Sequence, residues 1–330
     1  MQLVSHPVLC NYYLTYRCNA TCSFCDIWER PSPYATLDTI ERNLRDLKKL
    51  GVRIIDFTGG EPLLHRDLDK ILVLAKQLGF LTTVTTNALL YPKWAERIKG
   101  LVDMLHFSLD SPVEEEHNKS RGVDCFRFVQ ESIQIAEKLG ERPDIIFTVF
   151  KENMYQLPAM WEEYAIRRNL VLILNLSFDY NQVDTGLKPD VADLQILRKW
   201  GRKKNVFLND AFIQLRLDGG NQIKDPVCKA LSTTIVISPQ NELVLPCYHL
   251  GIESIPVGNS LFELYQSDRV KKMKEKEGRL PGCQSCTVNC YMQPSFTTNL
   301  NRYWFLAAPS ALKYNWIKGT WKSMIPGFRS

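Results

Sequence analysis

Between residues 8 and 180, short β-rich apolar runs alternate with helical stripes, and this alternation leaves few folds open to the chain. Val8–Thr15, Val52–Thr58, Phe80–Thr86, Val102–Leu109, Ile145–Phe150 and Leu170–Phe178 read as strands, rich in β-branched and aromatic residues. Between them lie helical patterns at Leu37–Leu50, Leu68–Leu78, Lys93–Lys99, Phe126–Leu139 and Leu157–Arg168. In the first of these, Leu37, Ile40, Leu44, Leu47 and Leu50 form one apolar stripe, closed by Gly51. Strands linked by helices must run parallel, with right-handed crossovers, so six such units imply an α/β fold around a parallel sheet. Ligands of parallel barrels gather at the C-terminal ends of the strands.

The first strand leads directly into Cys18-Asn19-Ala20-Thr21-Cys22-Ser23-Phe24-Cys25. Spacing of C-x3-C-x2-C puts three thiolates on one short loop. A cubane [4Fe-4S] cluster takes four ligands, one per iron, so this loop would leave one iron open to an exogenous ligand. Zinc prefers paired C-x2-C elements that complete a tetrahedron, and the three thiols favour the cluster without excluding zinc. The chain has ten cysteines and no n-region followed by an apolar h-region, which favours metal ligation in a reducing compartment over a disulfide framework. No stretch reaches the length of a spanning helix. The expected location is cytoplasmic, with peripheral contact to the inner membrane face as a variant.

The cysteine loop, with Phe24 before its last thiol, resembles the C-x3-C-x-aromatic-C signature of the radical S-adenosylmethionine (SAM) superfamily. The resemblance covers roughly residues 8–180. It implies a partial (β/α)6 TIM-like barrel over residues 1–185 and a [4Fe-4S] cluster on Cys18, Cys22 and Cys25 whose open iron binds SAM. It further implies reductive cleavage of SAM to a 5′-deoxyadenosyl radical, hydrogen abstraction from a substrate, and a reductant such as flavodoxin or ferredoxin. Gly59-Gly60-Glu61-Pro62, directly after the second strand, is similar to the family's GGE(P) motif, whose backbone and Glu hold the SAM amino group. By the same resemblance, Phe24, Gly59, Gly60, Glu61, Thr86, Asn87, Ser108 and Asp110 are the candidate SAM contacts. Asn153, Asn175 and Ser177 are looser candidates for the adenine or substrate side. Lys119-Ser120-Arg121-Gly122 resembles an Arg-Gly segment of the family but reads equally as a solvated loop, the reading preferred here. His65, His106 and His117 lack ligand spacing and read as ordinary histidines, and Cys10 and Cys125 as buried thiols.

Five further cysteines lie at 228, 247, 283, 286 and 290. Cys228 and Cys247 flank an expected hairpin, Thr233–Ser238 with Glu242–Pro246, and Cys283-Gln284-Ser285-Cys286 is a C-x2-C pair beyond an expected helix, Ser260–Lys276. Pairs from separate segments can converge on one metal centre. Residues 226–295 resemble the auxiliary-cluster modules called SPASM and, in the single-cluster form, twitch. A small α+β auxiliary domain at 227–300 is therefore expected after a bridging segment, 186–226, that holds a helix at Val191–Lys203. Cys228, Cys247, Cys283 and Cys286 would hold one auxiliary [4Fe-4S] cluster, with Cys290 spare or a substitute ligand; structural zinc is the alternative.

Residues 291–330 carry five basic residues and no acidic one, which accounts for the whole formal net charge of +5. The balanced remainder argues against a nucleic-acid surface. In the tail, 301–330, basic residues mix with Tyr303, Trp304, Phe305, Tyr314, Trp316, Trp321 and Phe328. That mixture suits a membrane interface or aromatic packing over the barrel with the lysines turned to water. The expected function is a radical SAM enzyme acting on a small molecule, carbohydrate or lipid precursor. The alternatives are a peptide or protein maturase of the SPASM type, disfavoured because only seven residues precede the first strand, and a non-catalytic zinc protein.

Overall fold

A computed structural model describes residues 6–178 and 188–320. The start of the expected bridging segment, residues 186 and 187, and the tail beyond residue 320, including Trp321 and Phe328, lie outside the described residues. Ten strands form one sheet: β1 (Leu9–Thr15), β2 (Ile54–Gly59), β3 (Leu81–Thr86), β4 (Met104–Ser108), β5 (Asp144–Val149), β6 (Val171–Leu176), β7 (Val206–Phe207), β8 (Thr234–Ile237), β9 (Glu242–Leu245) and β10 (Glu253–Pro256). Their order is β10-β9-β8-β1-β2-β3-β4-β5-β6-β7. From β8 through β7 every neighbouring pair is parallel, while β8–β9 and β9–β10 are antiparallel. The fold is thus α/β, a partial TIM-like barrel extended by a C-terminal region. The six expected strands and the hairpin are present, with no end shifted by more than two residues.

The C-terminal region does not build a sheet of its own. Its first strand, β8, pairs in parallel with β1, Leu9 opposite Thr234 and Tyr12 opposite Ile237. The expected single helix over Ser260–Lys276 is two, Leu261–Gln266 and Asp268–Glu275, because Ser267 is extended and caps the second by accepting from Val270 N. Elements absent from the sequence reading are β7, β10 and the helices Glu114–Arg121, Asp210–Leu217, Asn289–Ser295 and Arg302–Lys318.

Alternation along the strands defines the barrel interior. On β2, Ile55 and Phe57 are fully buried against the helices while Ile54, Asp56 and Thr58 are half-buried. On β1, Tyr12 faces outward, its hydroxyl accepting from Asn43 on the helix Leu37–Lys49 at 2.8 Å. Register pairs Tyr12 with Phe57 and Asn11 with Asp56, so Asn11, Tyr13 and Asp56 face the lumen. The half-buried His106 on β4 and Asn175 on β6 belong to the same inward series. The lumen is polar and accessible, unlike the apolar layer between strands and helices.

Candidate functional site

The cysteine loop is held from two sides. From β2, Gly60 N donates to Thr15 O and Glu61 N to Arg17 O, both at 2.9 Å. A Cβ on Gly59, whose φ is +148°, would lie 2.0 Å from Thr15 O, and one on Gly60 2.2 Å from Arg17 O. The two glycines are therefore required by the approach of this turn to the loop's entrance. From the other side, residues 120–122 strap the loop: Thr21 N donates to Arg121 O at 3.1 Å and Ser23 N to Ser120 O at 3.2 Å. Gly122 adopts φ +66°, and a Cβ there would meet Thr21 O at 2.5 Å. The Lys119–Gly122 segment is thus not a solvated loop; it is a wall of the cysteine site.

Arg121 is 6% exposed and ion-pairs with Asp110 at 2.7 Å. Its NH1 lies 3.8 Å from Cys22 Sγ, and its guanidinium stands 5.4 Å from the Phe24 ring centre. Burial opposes its charge, but Asp110 and the Cys22 thiol outweigh that and raise its pKa. Asp110 also accepts from Ser120 Oγ and from Thr148 N, so its carboxylate is fully engaged in holding Arg121 and β5. Asp110 therefore acts first in positioning Arg121 and β5 at the rim where it was expected to contact SAM.

Glu61 is 1% exposed and accepts from Leu63 N at 3.0 Å, Thr86 Oγ1 at 2.7 Å and Asn87 N at 2.9 Å. Burial nevertheless raises its pKa to about 7, against these hydrogen bonds. A carboxylate in that state gains from a cationic partner. The Thr86 hydroxyl is therefore spent on Glu61. Asn87 Nδ2 donates to Asn19 Oδ1 at 2.8 Å and lies 3.8 Å from Cys18 Sγ. Ser108 closes β4, buried at the same rim. Asn153 caps its own turn, accepting from Phe150 N and donating to Thr148 O, and Asn175 accepts from Asn289; neither is placed by a pocket contact. His65 and His117 are structural, bonded to Ala35 O and to Asp110 N respectively, and Cys125 packs against His117 at 3.3 Å.

The three loop thiols suit a cluster. Burial pushes the Cys18 thiol up to about 12, with Glu61, Cys22 and Cys25 adding to the rise; Cys25 is raised for the same first reason. A positive iron centre relieves such a cost by binding the thiolates. The loop supplies three thiols, one short of the four donors that a closed zinc site takes. A cubane spreads its thiolates over separate irons, so the donor set fits a cluster better than zinc.

Cys228, Cys247, Cys283 and Cys286 line one cavity of about 490 Å³, with Pro246 and Tyr291. Burial first, then Cys247, Cys286 and Cys283, raise the Cys228 pKa, and burial drives Cys247 to about 12. The sequence reading missed what assembles these loops. Asn221, fully buried, accepts from Cys228 N at 3.0 Å and donates to Gly278 O at 2.9 Å and Cys283 O at 3.0 Å. Its backbone pairs with Cys286 O at 2.9 Å and Ser285 N at 2.7 Å, and Gly220 before it, at φ +78°, leaves room for Ser285 O. The Gly219-Gly220-Asn221 triplet was the available signal.

Cys290 does not join these four. On the helix Asn289–Ser295 it is accessible, yet it interacts with Asp56 and Tyr13, so it faces the barrel lumen. Of its two expected readings, spare or substitute ligand, this placement favours the first. Asp56 opposite carries a buried Oδ1 with no hydrogen-bond partner among the described residues, and burial raises its pKa to about 6. Below it, His106 bonds Thr85 Oγ1 at 3.2 Å and lies 3.4 Å from Asp144. Tyr248, next to Cys247, stacks on Tyr13 at 4.6 Å and lies 5.9 Å from Tyr16, two residues before Cys18. Packed aromatic rings thus connect the two cysteine sets.

The family model of the radical SAM superfamily matches residues 12–160. A probable GTP 3′,8-cyclase of Methanococcus maripaludis is 30% identical over 211 residues, covering 62% of this chain and 69% of that protein. One from Sulfurisphaera tokodaii is 28% identical over 239 residues, covering 67% and 76%. Among solved structures, native anSMEcpe with bound AdoMet superposes with a TM-score of 0.62 at 16% identity, covering 96% of this chain and 99% of that one; at that identity the likeness concerns the fold.

Proposed function

The chain belongs to the radical SAM superfamily and is an enzyme, and on that premise we propose that it oxidises or rearranges a neutral or cationic small organic substrate held in the barrel lumen, with a second cluster assisting. Membership implies a [4Fe-4S] cluster with SAM and sets aside the reading as a non-catalytic zinc protein. Cys18, Cys22 and Cys25 would hold that cluster, and bound together the cluster and SAM supply reductive SAM cleavage and hydrogen-atom abstraction. Cys228, Cys247, Cys283 and Cys286 would hold an auxiliary [4Fe-4S] cluster. The observation that carries this second assignment is their convergence on one cavity.

The residues divide the remaining work. Glu61, buried and raised to about 7, suits an ammonium group, and Thr86 and the Asn87 amide orient its oxygens. Arg121 keeps positive charge against the loop thiols. Asp56 offers an unpaired carboxylate oxygen to a hydroxyl or ammonium of the substrate and can take up a proton near pH 6. The unpaired Asp56 oxygen is what favours a neutral or cationic substrate: Arg121 is paired with Asp110 and Lys318 with Asp144, while Arg216, bonded to the neutral acceptors Leu176 O, Ser177 O and Asn289 Oδ1, keeps an uncompensated charge. A triphosphate, the second reading drawn from the cyclase relatives, would meet the Asp56 carboxylate in this lumen.

Anaerobic reconstitution with iron and sulfide tests the proposal. With dithionite and SAM the protein should yield 5′-deoxyadenosine, and Cys22→Ala should abolish it; formation that survives this change would refute the catalytic assignment. The triple variant Cys18→Ala, Cys22→Ala, Cys25→Ala should keep about half of the iron, since each cluster holds four. Retention of all or none contradicts two clusters. Turnover of GTP in the same assay would decide for the second reading.

A further inference from the structure

The helix Arg302–Lys318 has its polarity reversed. All three of its cations point to the protein: Arg302 pairs with Asp218, Lys313 donates to Gly201 O at 2.8 Å and Lys203 O at 2.7 Å, and Lys318 pairs with the buried Asp144 at 2.8 Å. Tyr303 and Tyr314 also turn inward, stacking on Phe296 and donating to Asp144. The outward face instead carries Phe305, Leu312 and Trp316, 63%, 70% and 75% exposed, with Pro309 between them. Positions 305, 309, 312 and 316 make one stripe along a helix about 25 Å long. A helix that hides its charges and shows its apolar face expects an apolar neighbour. Tyr303 and Tyr314 pack inward, but Lys313 and Lys318 turn to the protein, which corrects the expectation that the lysines here turn to water.

A basic loop adjoins the stripe. Residues 198–204 read Arg-Lys-Trp-Gly-Arg-Lys-Lys, and Lys199, Arg202 and Lys204 are exposed. The Lys313 bonds tie this loop to the helix. Between them a cavity of about 360 Å³ is lined by Arg198, Arg202, Phe305, Pro309 and Lys313. Neighbouring carboxylates are occupied, Asp210 by Arg198 and Asp218 by Arg302. The basic segment begins in the last turn of the helix Val191–Gly201, on which Val191 and Ile196 are exposed as well. No helix among the described residues is long and apolar enough to cross a membrane.

We propose that this face, the outer stripe of the C-terminal helix with the 198–204 loop, docks on the surface of an anionic lipid bilayer. Exposed Trp and Leu beside uncommitted cations match the interface, where apolar side chains enter the headgroup boundary and cations meet lipid phosphates. A nucleic acid would use the cations and leave the stripe wet. A second protein copy would use the stripe and gather like charges at its edge. The inference stands independently of the catalytic reading.

Flotation of the full-length protein with phosphatidylcholine vesicles, with and without phosphatidylglycerol, tests it. Binding is expected only with phosphatidylglycerol and should fall as salt is raised. Leu312→Glu with Trp316→Glu should abolish flotation. The triple Lys199→Glu, Arg202→Glu, Lys204→Glu should weaken partitioning about a hundredfold, near fivefold for each cation removed. Circular dichroism and 5′-deoxyadenosine formation should match the parent in both variants. Equal flotation on neutral vesicles, flotation that survives both variants, or stripe-dependent dimers or poly(U) binding without flotation would each overturn the proposal.

Discussion

Replacing Asn221 by Leu should strip the second cysteine set of its iron while sparing SAM cleavage. The side chain satisfies one amide and two carbonyls in a site with no solvent exposure, at 2.9 to 3.0 Å. Leucine, close in volume, would leave Cys228 N–H and the carbonyls of Gly278 and Cys283 without that partner. Stranding the amide costs about 2 kcal/mol and each carbonyl about 1 kcal/mol, since a carbonyl tolerates under-satisfaction better. Burying the new methyl groups returns about 1 kcal/mol, so the net cost is near 3 kcal/mol. That corresponds to roughly a 150-fold loss in the assembled arrangement, and it falls on the two loops carrying Cys228 and Cys283. After anaerobic reconstitution the variant should hold about four irons per chain where the parent holds about eight. The 5′-deoxyadenosine yield from dithionite and SAM should be retained. Asn221→Asp is the sharper control, because its carboxylate still accepts from Cys228 N but opposes both carbonyls. Parental iron content in the Leu variant, with an unchanged unfolding midpoint, would refute the clamp.

Asp56→Asn should make the metal-free protein more stable and the loaded enzyme inactive. Burial lifts the Asp56 pKa from 3.8 to about 6, so the folded state holds the proton more tightly than the unfolded chain. The group therefore favours folding below pH 3.8 relative to neutrality, and that contribution is lost as pH rises to 6. At pH 8 the variant should gain about 1–3 kcal/mol in urea unfolding, with the difference vanishing near pH 4; no gain at pH 8 would contradict a desolvated carboxylate. Lys318→Met strands Asp144, which is fully buried and whose pKa is lowered because Lys318 and His106 outweigh its desolvation. It should cost about 3–5 kcal/mol, and adding Asp144→Asn should recover much of it; a double variant no better than the single would show that the ion pair is not the anchor.

The fold was legible where periodicity and punctuation agree. Leu37–Lys49 has an apolar stripe, a Thr36 cap bonded by Thr39 N and Gly51 at φ +87°, so local rules and tertiary burial coincide. Glu114–Arg121 escaped because its three opening glutamates carry no stripe; the helix is held by buried His117 and Arg121 at one end of a polar segment. The cysteine site was legible through spacing, and Gly59-Gly60 through position after β2. Arg121 and Asp56 were not, since a charged residue in a strand or loop looks solvated until register and the strap at 120–122 turn it inward. For Cys290 the sequence left two readings open, spare or substitute ligand, because its spacing from Cys286 could not show that the chain enters the helix Asn289–Ser295 between them and carries it toward Asp56 and Tyr13.

The same register ties the two cysteine sets to one strand. β1 is hydrogen-bonded to β2 on one side and β8 on the other. The first cysteine loop and the Gly59-Gly60-Glu61 turn leave the shared end of β1 and β2, while the chain that reaches Cys247 does so through β8 and β9. Tyr13 projects from β1 into the lumen and carries the Tyr248 ring against it, with Cys290 and Tyr291 alongside. Tyr291 in turn accepts Tyr248 N through its hydroxyl at 2.9 Å. Displacing β1 therefore moves both sulfur sets and the lumen wall together. A bound molecule touching Asp56 and Cys290 would lie against the strand that positions both, so its distance to each set is fixed by sheet register rather than by the packing of two separable domains.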